Sequence, residues 1–301
     1  MTNNIIVLGT VALDTVKTPR GQRNNLLGGS AAHFSLAARF FSGVELVAII
    51  GKDFPQRYVD FLRKKGVTLT SLVQGEGKTF RWSGEYKGDL DTALTLSTEL
   101  GVLSLFRPQI AEHQRKIDNV FLANIDPDIQ MRLLDKLHSP RLVALDSMNY
   151  WIESKRPLLK RLLKRVDIFV ANLSEARDLS GEVNIVRAAR ALRRMGPRYI
   201  VIKKGEHGVF FYCDRFIFSY PAFPVEDVVD PTGAGDTFAG GFMGYLSSCR
   251  KITQDALKRA IVYGIILSSF NVEGFGPERT SSLSRQAIRS RLHKFKKTLI
   301  F

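Results

Sequence analysis

Apolar residues recur along the chain at two periods. Ile5–Leu8, Leu46–Ile50, Asn119–Leu122, Leu142–Leu145, Ile168–Ala171 and Tyr199–Ile202 are short, largely apolar runs. Near-continuous Val, Ile and Leu suit strands buried on both faces. Between the first two runs, Phe34, Ala37, Ala38 and Phe41 recur at helical spacing, and each later run has a helical pattern before or after it. This alternation predicts an α/β fold, a mostly parallel sheet with helices on both faces. In such sheets ligands sit beyond the carboxyl ends of the strands. Val11–Leu27 and Val67–Phe106 break the alternation with turn residues, Thr and aromatics, and predict a small antiparallel sheet standing off the main body as a lid. Gly208–Tyr220 predicts a hairpin turning near Asp214. Without an internal repeat, the expectation is a single domain over 1–301, with its lid formed by about 11–27 and 67–106.

Charge changes this picture more than composition does. The 301 residues carry a formal charge of +15. The basic clusters are Lys160–Arg165, Arg187–Arg198 and Arg285–Lys297, and the first two alternate with Leu, Ala and Ile at helical spacing. They read as solvated faces of amphipathic helices. A basic face attracts phosphate nonspecifically, but no zinc-finger or RNP-like pattern accompanies it, so nucleic acid is not the expected partner. No apolar run approaches the roughly 20 residues needed to cross a bilayer, and no charged segment followed by an apolar core marks a secretory signal. Cys213 and Cys249 lie far apart without metal-ligand spacing, as expected of a reduced, cytoplasmic protein with no membrane partner.

The candidate chemistry is concentrated in Asp230–Thr237, Asp-Pro-Thr-Gly-Ala-Gly-Asp-Thr. Val225, Val228 and Val229 predict a strand leading in, and Phe238–Leu246 a helix leading out. Gly233, Ala234 and Gly235 would let N–H groups crowd together at a helix start, which attracts anions. Asp236 would place a carboxylate beside that anion site. The combination is awkward unless the acid meets a hydroxyl that attacks a phosphate, which points to phosphoryl transfer. The bland alternative is a helix-capping turn. In the following helix Gly240, Gly241 and Gly244 predict a close approach to a sheet or a nucleotide, opposite a stripe of Phe238, Phe242 and Tyr245. Two lookalikes fail: Gly77-Lys78-Thr79 has Leu72 where a P-loop needs glycine, and Gly274-x-Gly276 lacks a third glycine.

Three segments together resemble the ribokinase-like (PfkB) family of carbohydrate and nucleoside kinases. They are Gly28-Gly29-Ser30-Ala31-Ala32, Asn172-x-x-Glu175 and Val228–Phe238, in the family's order and spacing. The resemblance implies a ribokinase-like fold and ATP-dependent phosphorylation of a hydroxymethyl group, with a sugar of ribose or fructose type as the first expectation and a nucleoside as the alternative. It implies Asp236 as base and N–H donation from Gly233, Ala234 and Gly235 to the transferred phosphoryl. Asn172 and Glu175 would organise Mg²⁺ through waters; they would equally form a capping box, and the two roles can coexist. Asp14, Gly28 and Gly29 would hold the acceptor. Lys203, Gly205 and Gly208 fall where the family lines its nucleotide site, with a solvated strand end as the plain alternative for Lys203. Ala260, Gly264 and Asn271 fall in the region flanking adenine. Asp230 and Thr232, with carbonyls near Gly274, match a site for a monovalent cation, K⁺, in some relatives.

Departures leave the acceptor open. His33 stands where many relatives carry Asn, either touching acceptor or buried on the inner face of its helix. Phe80, Arg81, Trp82 and Tyr86 of the lid offer stacking and an anion contact to the acceptor, or else a small core of their own or a homodimer contact through the lid. Asp146-x-x-Asn149 follows a strand at the expected active edge. A nucleic-acid-binding or regulatory protein retaining the fold is the remote alternative.

Overall fold

The computed structural model describes residues 4–88, 90 and 92–299; Asp89 and Asp91, inside the expected lid range, lie outside the described residues. In chain order the strands are β1 (Asn4–Leu8), β2 (Ala12–Thr18), β3 (Gly21–Gly28), β4 (Gly43–Gly51), β5 (Val67–Gly75), β6 (Arg81–Tyr86), β7 (Ala93–Glu99), β8 (Asn119–Leu122), β9 (Leu142–Asp146), β10 (Ile168–Asn172), β11 (Tyr199–Lys203), β12 (Val209–Tyr212) and β13 (Ile217–Tyr220). The helices are α1 (Ser30–Ala38), α2 (Gln56–Lys64), α3 (Pro127–Leu134), α4 (Asn149–Ser154), α5 (Arg156–Leu163), α6 (Leu173–Ser180), α7 (Ile185–Arg194), α8 (Ala234–Ser248), α9 (Gln254–Asn271), α10 (Glu278–Ser282) and α11 (Arg285–Thr298).

Nine strands form the large sheet in the order β13-β12-β11-β10-β9-β8-β1-β4-β5. It is parallel from β11 to β5 and ends in the antiparallel β12–β13 hairpin. The pleat splits its side chains between two cores. Ile5 and Val7 face a core shared with α1, α8 and α9, whereas Ile6 and Leu8 face one shared with α3, α5, α6 and α7. All four are fully buried, which is why the run carries no polar alternation. Burying each such side chain contributes roughly 1.5–3 kcal/mol. α5 and α7 do turn basic residues outward, Lys160, Arg161, Arg190 and Arg194 among them, while Leu159, Leu162, Ala188 and Leu192 point inward.

The small sheet runs β3-β2-β6-β7. Its outer pairings are antiparallel and the central β2–β6 pairing is parallel. It is narrower than the expected lid. Val67–Gly75 is β5 of the large sheet, in register with β4, because Val67 and Leu72 join the main core. The approach to Asp230 is also not the strand that Val225, Val228 and Val229 suggested. It is irregular chain held by the Val229 and Asp230 N–H groups donating to the Val272 carbonyl at 2.7 and 3.2 Å. Gly240, Gly241 and Gly244 of α8 press on helices rather than on the sheet. A Cβ on Gly240 or Gly244 would run into α1, and one on Gly241 into α9. No helix among the described residues is long and apolar enough to cross a membrane.

Candidate active site

Parallel neighbours β9, β10 and β11 end at one edge of the sheet, and their last residues are Asp146, Asn172 and Lys203. The start of α8 meets the same edge: a Cβ on Gly235 would lie 3.0 Å from Lys203 Nζ. Lys203 donates to Asp146 Oδ2 at 3.1 Å, with side-chain exposures of 18% and 5%. This ion pair is the feature sequence reasoning missed. Lys203 is not a solvated strand end. Burial alone would lower its pKa, but Asp146, Glu175 and Asp236 around it hold it above its ordinary value.

Burial acts on acids in the opposite sense, raising them. Asp236 is pushed up to about 7, first by burial and then by Asp146, against the opposing pull of Lys203. Burial also raises Glu175, with Asp146 adding to the effect. Asp14 rises to about 7 through burial, with Asp230 and Asp236 adding repulsion, although the Gly29 N–H pulls it down. Asp14 and Asp236 come from opposite ends of the chain and lie near enough for their charges to repel. Perturbed acids gathered at a strand edge are a functional-site signature. Asn172 and Glu175 form the expected capping box: Glu175 N–H donates to Asn172 Oδ1 at 2.8 Å and Asn172 N–H to Glu175 Oε2 at 2.7 Å. Among the described residues no group of three or more His, Cys, Asp or Glu could hold a metal directly. Buried, electronegative Glu175 suits a hydrated Mg²⁺ held through waters and phosphate oxygens, since Mg²⁺ keeps several of its waters.

The turn before α8 is built around Gly233. It adopts φ 73°, in the left-handed region, and a Cβ there would overlap the His33 imidazole. Ala234 is not the donor expected from the sequence, because its N–H is spent on the Pro231 carbonyl at 3.1 Å. Among the described residues the Gly233, Gly235 and Asp236 N–H groups make no such bond, so the helix start keeps an anion-binding face. Gly233→Ala adds left-handed strain of roughly 1–2 kcal/mol to an overpacking cost of about 1–3 kcal/mol. The expected fall in melting temperature is about 3–8 °C, measured by calorimetry.

Several residues sit differently from expectation. The space a Gly28 side chain would need is taken by the Asp14 carboxylate, so this glycine makes room for Asp14 rather than for a ligand. Gly29 has φ 92°, and a Cβ there would strike the Thr10 carbonyl. Thr10 and Ser30 lock this turn with reciprocal bonds of 2.9–3.1 Å. His33 is 2% exposed beneath Gly233, its Nδ1 3.2 Å from Asn271 Oδ1. Arg81 is committed to Asp53 at 2.7 Å and Asn25 at 2.6 Å. Ala260, Gly264 and Asn271 do not line an open site: all are buried, Gly264 against Phe238 and Asn271 beneath the Gly233 turn. Gly205 is exposed at the sheet edge, whereas Gly208 is buried against Tyr220 and Pro221. Tyr86 of the small sheet reaches across to Thr232, with 3.3 Å between their hydroxyls. A cavity of about 420 Å³ bounded by Leu27, Tyr58 and Phe275 shares no residue with the acidic centre.

An acid beside an anion-binding helix start, at the carboxyl edge of an α/β sheet and under a small second sheet, defines a phosphotransferase of small molecules. Residues 116–282 match the pfkB family carbohydrate kinase domain. A cytidine kinase of Thermococcus kodakarensis is 32% identical over 257 residues, covering 83% of this chain and 91% of that protein. Methanocaldococcus jannaschii nucleoside kinase shares the fold with a TM-score of 0.78 at 19% identity, over 97% of this chain and 99% of that one. So does a Vibrio cholerae fructokinase solved with fructose, ADP and a potassium ion bound, with a TM-score of 0.78 at 15% identity over 96% and 98%. The chain belongs to the pfkB carbohydrate kinase family, whose members are phosphotransferases with an alcohol group as acceptor.

Proposed function

We propose that this kinase uses Mg²⁺-bound ATP to phosphorylate the hydroxymethyl group of a nucleoside, in preference to a free sugar. The observation that carries the choice is Trp82. It pairs in register with Asp14 across β2–β6, so both side chains leave the same face of the small sheet. Its indole lies over Gly84, where any side chain would collide with it, and its Nε1–H donates to Thr95 at 3.2 Å. A fixed aromatic plane on the sheet face that also carries a carboxylate suits a base stacked near ribose hydroxyls. The 32% identical cytidine kinase supports the same reading.

In this mechanism Asp14 holds sugar hydroxyls and Asp236 orients the hydroxymethyl oxygen and collects its proton. That oxygen bonds to the γ-phosphorus as the bond to the bridging oxygen breaks and ADP leaves. The Gly233 and Gly235 N–H groups and the α8 dipole stabilise charge on the transferred phosphoryl. Asn172 and Glu175 would hold Mg²⁺ through water, where the ion neutralises phosphate charge. Lys203 and Gly205 border the donor phosphates at the sheet edge. The small sheet acts as a lid that excludes water, with Tyr86 on Thr232 as its clasp. On the edge strand β7, Leu94 and Leu96 are 53% and 55% exposed and support a homodimer contact through this sheet.

The test is a panel of cytidine, uridine, adenosine, ribose and fructose with ATP and Mg²⁺, read by ADP formation. A nucleoside should exceed ribose by at least about 100-fold in kcat/KM. Equal or faster turnover of ribose or fructose would return the acceptor to the sugar class. Trp82→Ala should raise KM for the best nucleoside about tenfold, since base stacking is worth roughly 1–3 kcal/mol, and leave any activity on ribose unchanged.

A further inference from the structure

The oxygens of Asp230 and the Thr232 and Val272 carbonyls, which match a monovalent-cation site, each already accept at least one N–H donor. Asp230 is fully buried; its Oδ1 accepts the Thr232 N–H at 2.8 Å and its Oδ2 the Gly276 N–H at 2.9 Å. The Val272 carbonyl accepts two N–H groups, from Val229 and Asp230. The Thr232 carbonyl accepts the side-chain amide of Asn271 at 2.8 Å. A hard cation needs several oxygen lone pairs converging on one point. Here N–H groups, the positive ends of dipoles, are directed at the same oxygens. These N–H donors compete with a cation for the same lone pairs and make the set a poorer fit for K⁺.

Asn271 is the centre of the replacement. It is fully buried, and its Oδ1 accepts the Thr237 hydroxyl at 2.9 Å and lies 3.4 Å from the Thr280 hydroxyl. A backbone carbonyl is only an acceptor, so the bond to Thr232 identifies the Asn271 nitrogen and fixes the amide orientation. His33 Nδ1, facing Oδ1, therefore carries a proton, and burial disfavours the doubly protonated, charged ring. One amide thus joins Thr232 before the Gly233 turn, Thr237 after it and His33 beneath it.

We propose that Asn271 is a positioning residue that does the work of a monovalent cation, holding the Asp230–Thr237 turn in shape so that the enzyme needs no K⁺. This rests on the kinase reading for its rate measurement but not for its stability measurement. At constant ionic strength, rates in potassium, sodium and N-methylglucamine chlorides should agree within about twofold. Melting temperatures of the substrate-free protein in the same salts should agree within about 1 °C, because an ion bound only by the folded state would raise them. Asn271→Asp removes the N–H donor and sets a carboxylate against the Thr232 carbonyl. That variant should be activated at least about fivefold by K⁺ and be selectively stabilised by it, a response that mere loss of packing would not produce. Activation of the wild type by K⁺ of tenfold or more, or a K⁺-specific rise in its melting temperature, would overturn the proposal. So would an Asn271→Asp protein that folds and ignores K⁺; if that variant does not fold, the wild-type arms decide alone. Failure of every acceptor to turn over would refute the kinase reading, while the melting arm would still decide the cation question.

Discussion

Asp236→Asn should lower kcat by about a thousandfold and raise the melting temperature by a few degrees. The rate loss follows from removing the proton acceptor, since positioned general bases contribute about 10²–10⁴. The gain in stability follows from the sign of the pKa displacement. Burial and Asp146 lift Asp236 to about 7 in the folded protein, from an ordinary value of 3.8. Between these two values the folded state holds a proton that the unfolded state has released. Stability from this group is therefore complete below about pH 4, is lost as pH rises towards 7, and is absent above it. The ionised acid that catalysis needs is thus the destabilising form, and asparagine removes that penalty. Wild type should show kcat/KM rising with pH up to a plateau above about 7. Asp14 is raised to a similar value, so the limb reports the cluster of acids rather than one residue. Calorimetry at pH 4 and pH 8 separates the roles: the variant's advantage should appear at pH 8 and vanish at pH 4. Retention of full activity by Asp236→Asn would remove the residue from the chemistry.

The fold was legible because its strands are buried on both sides. Ile5–Leu8 reads as a strand for the same reason that it splits between two cores. The same logic failed at Val67–Gly75. That strand lies at the edge of the sheet, where partial exposure leaves polar residues such as Thr68, Thr70 and Gln74 that mimic a lid. Val225, Val228 and Val229 looked like a strand because apolar spacing does not distinguish a ladder from two N–H groups caught by the single carbonyl of Val272.

The site was legible in its motifs and illegible in its pairings. Asp236 and Gly233 declared themselves through a local pattern of small residues and an acid. Asp146 and Lys203 are 57 residues apart, and only the parallel alignment of β9, β10 and β11 brings them together. Asn271 carries no local signal at all. Its meaning comes from four partners drawn from α1, the Gly233 turn, α8 and α10. Arg81 was readable as a cation but not as one already neutralised by Asp53.

Lys203→Met should shift the acid limb of the rate profile upward by about one unit or more, and this shift tests what the buried ion pair does. Lys203 is the cation that lowers the pKa of both Asp236 and Glu175. Without it, Asp146, Glu175 and Asp236 repel one another with no internal counter-charge, and Asp236 holds its proton to higher pH. Activity at pH 7 should fall at least tenfold, and much of it should return by pH 9. Breaking a buried pair on one side typically costs about 3–5 kcal/mol, so the melting temperature at neutral pH should drop by roughly 5–10 °C. That deficit should shrink on acidification, as protonation relieves the exposed repulsion among the carboxylates. Lys203→Arg keeps the charge and should keep the wild-type profile at reduced kcat. The other role proposed for this lysine is a contact to the donor phosphates. That role alone would raise KM for ATP and leave the pH profile in place, and such a result would assign the lysine to the donor rather than to the ionisation of the base.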